Sequence, residues 1–158
     1  MTSHLNGQLE VGLRVSVLLA SVFPRGLDIG RLVLLDHALL HSGDLGGPPS
    51  IHPALPLRSG ELGMKRTVIS AGAELACRVG LAEVVADSAG IALVASERAP
   101  GFIDLLTSPY ILKLTDRASW VSKSLGQLSD QNIRQQMSEV FGHRAEEFQL
   151  NDDHGPGI

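Results

Sequence analysis

Aromatic side chains are scarce in this chain, at 4% of 158 residues, so Leu, Val, Ile and Ala must fill its interior. There is one cysteine, Cys77, which rules out an intrachain disulfide and any cysteine-based metal cluster. Its neighbours Leu75, Ala76 and Val79 mark it as a small buried hydrophobe rather than a reactive thiol. A surplus of positive charge is also missing: the net charge is −4, without the basic excess of a dedicated nucleic-acid binder. A local basic patch remains compatible with that balance. Long hydrophobic runs are absent too. The stretch from Val11 to Phe23 carries Arg14 and follows Glu10, and it falls short of the ~20 residues that span a bilayer. It has neither the basic leader nor the small-residue cleavage site of a signal peptide. A core helix in a cytoplasmic protein is the expectation.

What is present is a globular composition, 44% apolar and 19% charged, long enough for one domain with a real core. A single domain over 8–149 is expected, with flexible tails at 1–7 and 150–158. Leu9 to Phe23 reads as a helix apolar on most sides, closed by Pro24 and Gly26. Asp28 is placed to cap a second helix from Ile29 to about His41, with Gly43 ending it. Ser59 is a plausible cap for a third helix running through Val79, and Gly80 sits where a left-handed residue closes a helix. Two β-prone runs flank Asp87-Ser-Ala-Gly90, which reads as a hairpin. A short helix is expected over Pro100 to Leu106. Ser108-Pro109 then starts a helix to Leu125, with Ile111, Leu114, Ala118, Val121 and Leu125 as a 3-4-3-4 stripe. Ser129 caps a last helix to about Phe148. The predicted fold class is mainly α (α+β): a winged-helix-like core over 8–98 and a C-terminal helical pair over 99–149.

Four of the eight prolines (Pro48, Pro49, Pro53 and Pro56) fall in one connection, the loop over 42–58. Connections in compact domains are usually about 4–6 residues, and longer ones are either functional or disordered. Ile51, Leu55 and Leu57 could anchor this one to a core, so an ordered loop that meets a partner is expected.

The chemistry-bearing residues cluster around that loop. His37 and His41 share a helix face, with Asp36, Asp44 and His52 close in sequence. Two helical imidazoles, a loop imidazole and a carboxylate could hold a metal. Without the Glu of the zinc-protease motif, the better reading is histidines that bond loop carbonyls and hold the loop down. Ser42, Ser50 and Ser59 lie in no recognised nucleophile elbow, and Gly46-Gly47 is not followed by the Lys of a phosphate loop. No catalytic constellation and no cofactor are expected. Arg58, Lys65 and Arg66 gather near the start of the third helix, where a winged-helix protein would contact DNA. Glu61 interrupts that patch and the hairpin carries Glu83 and Asp87, so a solvated face or a contact to a partner's acidic surface is preferred over DNA. Trp120 reads as ordinary core.

Several segments taken together resemble one family. They are Glu10-Val-Gly-Leu-Arg14, Arg31-Leu-Val-Leu-Leu-Asp-His37, His41-Ser-Gly-Asp44, the stretch from Gly47 to Leu62, Gly80-Leu81, Ser108-Pro-Tyr110 and Arg117-Ala-Ser-Trp120. They look like the small middle component, of the second type, of bacterial ABC-three-component systems, over about residues 8–149. The resemblance implies a non-enzymatic accessory subunit encoded between an effector-like protein and an SMC/Rad50-like ABC ATPase. It also implies a role in defence against phages and plasmids, in a layout similar to the Lamassu systems, with this subunit bridging ATPase and effector. No catalytic or metal residues carry over. His41, Asp44, His52, Arg58 and Glu61 match the loop pattern, and with Lys65 and Arg66 they are the expected partner-binding residues. DNA contact would then be indirect and no membrane is involved. The rival reading is a winged-helix transcription regulator; a small metal-dependent hydrolase around His37, His41 and His52 comes last.

Overall fold

A helix that is apolar all round has to be surrounded, and α1 (Gln8–Val22) is. In the computed structural model, which describes residues 7–52 and 61–139, α1 packs against α2, α3, α4 and α5. Val11, Val15, Leu18 and Leu19 are its buried centre. Asp28 caps α2 (Ile29–Leu40) by accepting from the Arg31 backbone N–H at 2.7 Å, as expected, and everything from Leu32 to Leu40 is buried. Between these helices Gly26–Leu27 forms a short strand, β1.

α3 (Glu61–Arg78) approaches α1 very closely. A Cβ on Gly72 would lie 2.5 Å from Val11 Cγ1 and 2.9 Å from the Gly12 backbone nitrogen, so only glycine fits this crossing. The helix ends in a Schellman motif: Leu81 N–H donates to Ala76 O, Gly80 N–H to Cys77 O, and Gly80 takes φ +81°. Its N-cap, Ser59, lies outside the described residues. β2 (Ala82–Asp87) and β3 (Gly90–Ala95) form the expected hairpin, and β1 adds to β3 to give an antiparallel sheet in the order β1-β3-β2.

α4 (Ala99–Asp104) is shorter than the Pro100–Leu106 helix anticipated. α5 (Pro109–Leu125) starts at Ser108, whose Oγ accepts from Ile111 N–H, and buries the whole predicted stripe. Ser129 Oγ accepts from Asn132 N–H at the start of α6, helical over 130–139 of the described residues, with Ile133 and Met137 buried. Residues from both halves of the chain share one hydrophobic core. The fold is thus mainly α with a small sheet, and the order of three helices and a hairpin is the anticipated one. Among the described residues no helix is long and apolar enough to cross a membrane.

One expectation needs correcting. Gly43 does not end α2; the helix stops at Leu40, and Ser42–Leu45 form a 3₁₀ turn closed by Gly46 at φ +80°. The reason is that Leu40 O is occupied by amides from the far side of the loop, Ile51 N–H at 3.1 Å and His52 N–H at 3.2 Å.

Candidate functional site

Prolines donate no backbone hydrogen bond, so a proline-rich loop needs donors brought to its carbonyls from elsewhere. Ser42, fully buried, donates from Oγ to Pro48 O at 2.9 Å. Arg117 reaches across from α5 and donates to Pro49 O twice, from Nε at 3.1 Å and Nη2 at 2.9 Å. Gly43 N–H donates to Ser50 Oγ and Gly47 N–H to Ser42 O. Gly47 also lies flat against the indole of Trp120: a Cβ there would sit 2.5 Å from the ring. With Leu45 and Ile51 packed on the core, residues 42–52 are an ordered, docked loop.

Nearby lies a buried ion pair. Arg14 and Asp36 are each 1% exposed and meet through two hydrogen bonds, Nε–Oδ1 at 2.7 Å and Nη2–Oδ2 at 3.3 Å. Burial works against the charge on Arg14, but the charge and hydrogen bonding of Asp36 outweigh it and the pKa rises. Glu10 lies 3.9 Å from Arg14 Nη1 and accepts from Tyr110 OH at 3.2 Å. Burial, then the Glu10 charge, pushes the Tyr110 phenol up to about 12.

Histidines connect α2, the loop and α3. His41 Nδ1 is 3.2 Å from His52 O, and a carbonyl only accepts, so His41 carries its proton on Nδ1. The Lys65 ammonium lies 3.2 Å from His37 Nδ1, which must then be the accepting nitrogen. The His37 and His41 rings are 4.6 Å apart between centroids. Burial and then the Lys65 charge lower the His41 pKa; burial and then Arg14 lower that of His52. Both imidazoles are thereby kept neutral at pH 7.

The expected site residues thus fall into separate groups. His41, His52 and Lys65 converge, with Asp44 half-buried in the adjoining 3₁₀ turn, where its charge raises the His41 pKa in opposition to burial and Lys65. Arg66 is exposed, its guanidinium beside Gly30 at the start of α2. Glu61 begins α3, and its side chain lies outside the described residues; so do Arg58, Leu55, Leu57 and Ser59. Lys65, expected to face a partner or DNA, turns toward α2 instead. Ser42 and Ser50 are engaged in loop hydrogen bonds, and the Cys77 thiol, half-buried, is pushed up by burial and by Glu83. Among the described residues no three His, Cys, Asp or Glu side chains converge as metal ligands would.

Sequence reasoning missed two features. Trp120 packs against the core as expected and is also a wall for the loop. Arg14 and Asp36 are partners; the available signal was a charge of opposite sign set among the apolar residues in the middle of each helix, since a buried charge requires its complement.

A family model described as ABC-three component (ABC-3C) system Middle Component 2 matches residues 4–147. No curated protein and no solved structure matches. The chain belongs to the Middle Component 2 family of ABC-three-component systems, and protein partners follow from that membership.

Proposed function

We propose that this middle component is a non-enzymatic accessory subunit that bridges an SMC/Rad50-like ABC ATPase and an effector in a bacterial defence complex. Its docking surface is the proline-rich loop with the start of α3. The observation that carries this reading is the state of the loop. Its carbonyls are tied to Ser42 and Arg117, its glycine is seated on Trp120, and Gly43, Gly46 and Pro49 remain exposed. Such a surface is already ordered, so a partner that docks on it loses little conformational entropy. Membership in an ABC-three-component family supports protein partners for it. The rival reading, a winged-helix transcription regulator, lacks comparable support, because Lys65 is drawn to His37 and the exposed hairpin carries Glu83 and Asp87.

Co-expression of the three components tests the bridge. A complex of all three is expected, with ATPase and effector no longer co-eluting when this chain is omitted. Unchanged co-elution of the other two, or a chain that binds neither, would sink the proposal.

A further inference from the structure

Among the described residues the sheet ends in an unpaired edge. β2 lies outermost, its pairing with β3 runs unbroken over six residue pairs, and beyond Ala82 it is exposed on both faces. Exposed edge strands are normally blunted by charged side chains, proline or a bulge, and on β2 Glu83 and Asp87 alone serve that purpose. Here Ala82-Glu-Val-Val-Ala-Asp87 contains no proline or lysine and its register shows no bulge. Three large apolar side chains instead stand in solvent on the hairpin: Val84 at 61%, Val85 at 42% and Ile91 at 69% exposure.

The direction of the free backbone groups follows from one hydrogen bond. Ser96 N–H donates to Leu81 O, which makes Leu81 and Ser96 a hydrogen-bonded pair of the ladder. Alternation then turns Glu83, Val85 and Asp87 toward β3, and the backbone N–H and C=O of Ala82, Val84 and Ala86 outward. The strand's own charge has one sign, with Arg25 and Arg31 lining the cavity beside Asp87 and Arg98 the one beside Glu83. Glu83 and Asp87 are the only ionisable groups of β2, both exposed, and β3 contributes none.

We infer that the free edge of β2 binds an extended, basic strand of a partner protein, which pairs with the backbone of Ala82, Val84 and Ala86 and sets cations opposite Glu83 and Asp87. Facing those two carboxylates on the same side of the sheet, an antiparallel strand carries Lys or Arg at positions four apart, with a β-branched residue opposite Val84. A second copy of this chain fits less well, since it would bring two more carboxylates and no cation. The surface uses different elements from the proline-rich loop, and the inference does not rest on the loop's role.

The full chain, ¹⁵N-labelled, is titrated with the synthetic peptide Lys-Val-Thr-Val-Lys-Val and with its counterpart carrying Glu in place of Lys. Binding of the basic peptide is expected, with slowed exchange of the Ala82, Val84 and Ala86 amides. Val84→Pro removes an outward N–H, a position where an edge strand tolerates proline. It should weaken binding roughly five- to tenfold, the loss of one backbone hydrogen bond. Glu83→Lys should cost the basic peptide roughly threefold and favour the acidic one. Three results would overturn the inference: no binding, equal binding of both peptides, or shifts confined to residues outside β2. A dimer seen in sedimentation equilibrium and abolished by Val84→Pro would assign the edge to a second copy instead.

Discussion

Arg14 and Asp36 hold a demanding position, since each is 1% exposed and the other is its closest opposite charge. Arg14→Met alone should destabilise the protein by about 3–5 kcal/mol, because Asp36 is left charged and unpaired. Arg14→Met combined with Asp36→Leu should recover most of that loss, and chemical denaturation of the three variants measures both effects. Tyr110 reports on the same corner, and it is the chain's one tyrosine, so its ultraviolet titration is unambiguous. Its midpoint is expected at about 12 against an ordinary 10.0, falling when Glu10→Gln removes the charge that raises it. The sign follows from linkage: the fold favours the protonated phenol, so this contribution is full below pH 10.0 and is lost as pH rises toward 12. His41 and His52 act in the opposite range. Both are shifted down from 6.5, so the unfolded chain binds protons more readily. Their contribution is intact above pH 6.5 and fades as pH falls through the lowered values. Protection of the Ile51 and His52 amides, the two donors to Leu40 O, should therefore fall between pH 7 and pH 5, so that their exchange slows by less than the base-catalysed intrinsic rate does.

Among the elements, the helices with clear periodicity could be read from the sequence. The α5 stripe from Ile111 to Leu125 and the all-round apolar α1 needed only local spacing, and the Gly80 terminus needed only a glycine after the last apolar residue. The 3₁₀ turn at Ser42–Leu45 and the seat of Gly47 on Trp120 could not be read that way, because both depend on contacts between distant segments. Of the candidate site, the histidine that bonds a loop carbonyl was anticipated. The inward turn of Lys65 was not, since its partner His37 sits on another helix. The loop's attachment to α5 makes a prediction of its own. Arg117→Ala removes both donors to Pro49 O and should loosen the loop by about 1–2 kcal/mol. Trp120, the only tryptophan, should then show red-shifted fluorescence without loss of helical circular dichroism.

For the molecule as a whole, a single core carries two features on different elements, the docked loop segment over 42–52 and an acidic strand edge. That arrangement suits a component placed between others, and the central claim is that the loop is where one of them docks. The most direct test is Gly47→Ala, which adds one methyl group where the Trp120 ring stands 2.5 Å away and shifts the loop without deleting any polar group. The ABC ATPase component is co-expressed with the wild-type chain or with this variant, and the complexes are compared by native mass spectrometry. Wild type should yield a stable complex and Gly47→Ala little or none, with α-helical content unchanged. An equally populated complex with the variant would contradict the loop's role.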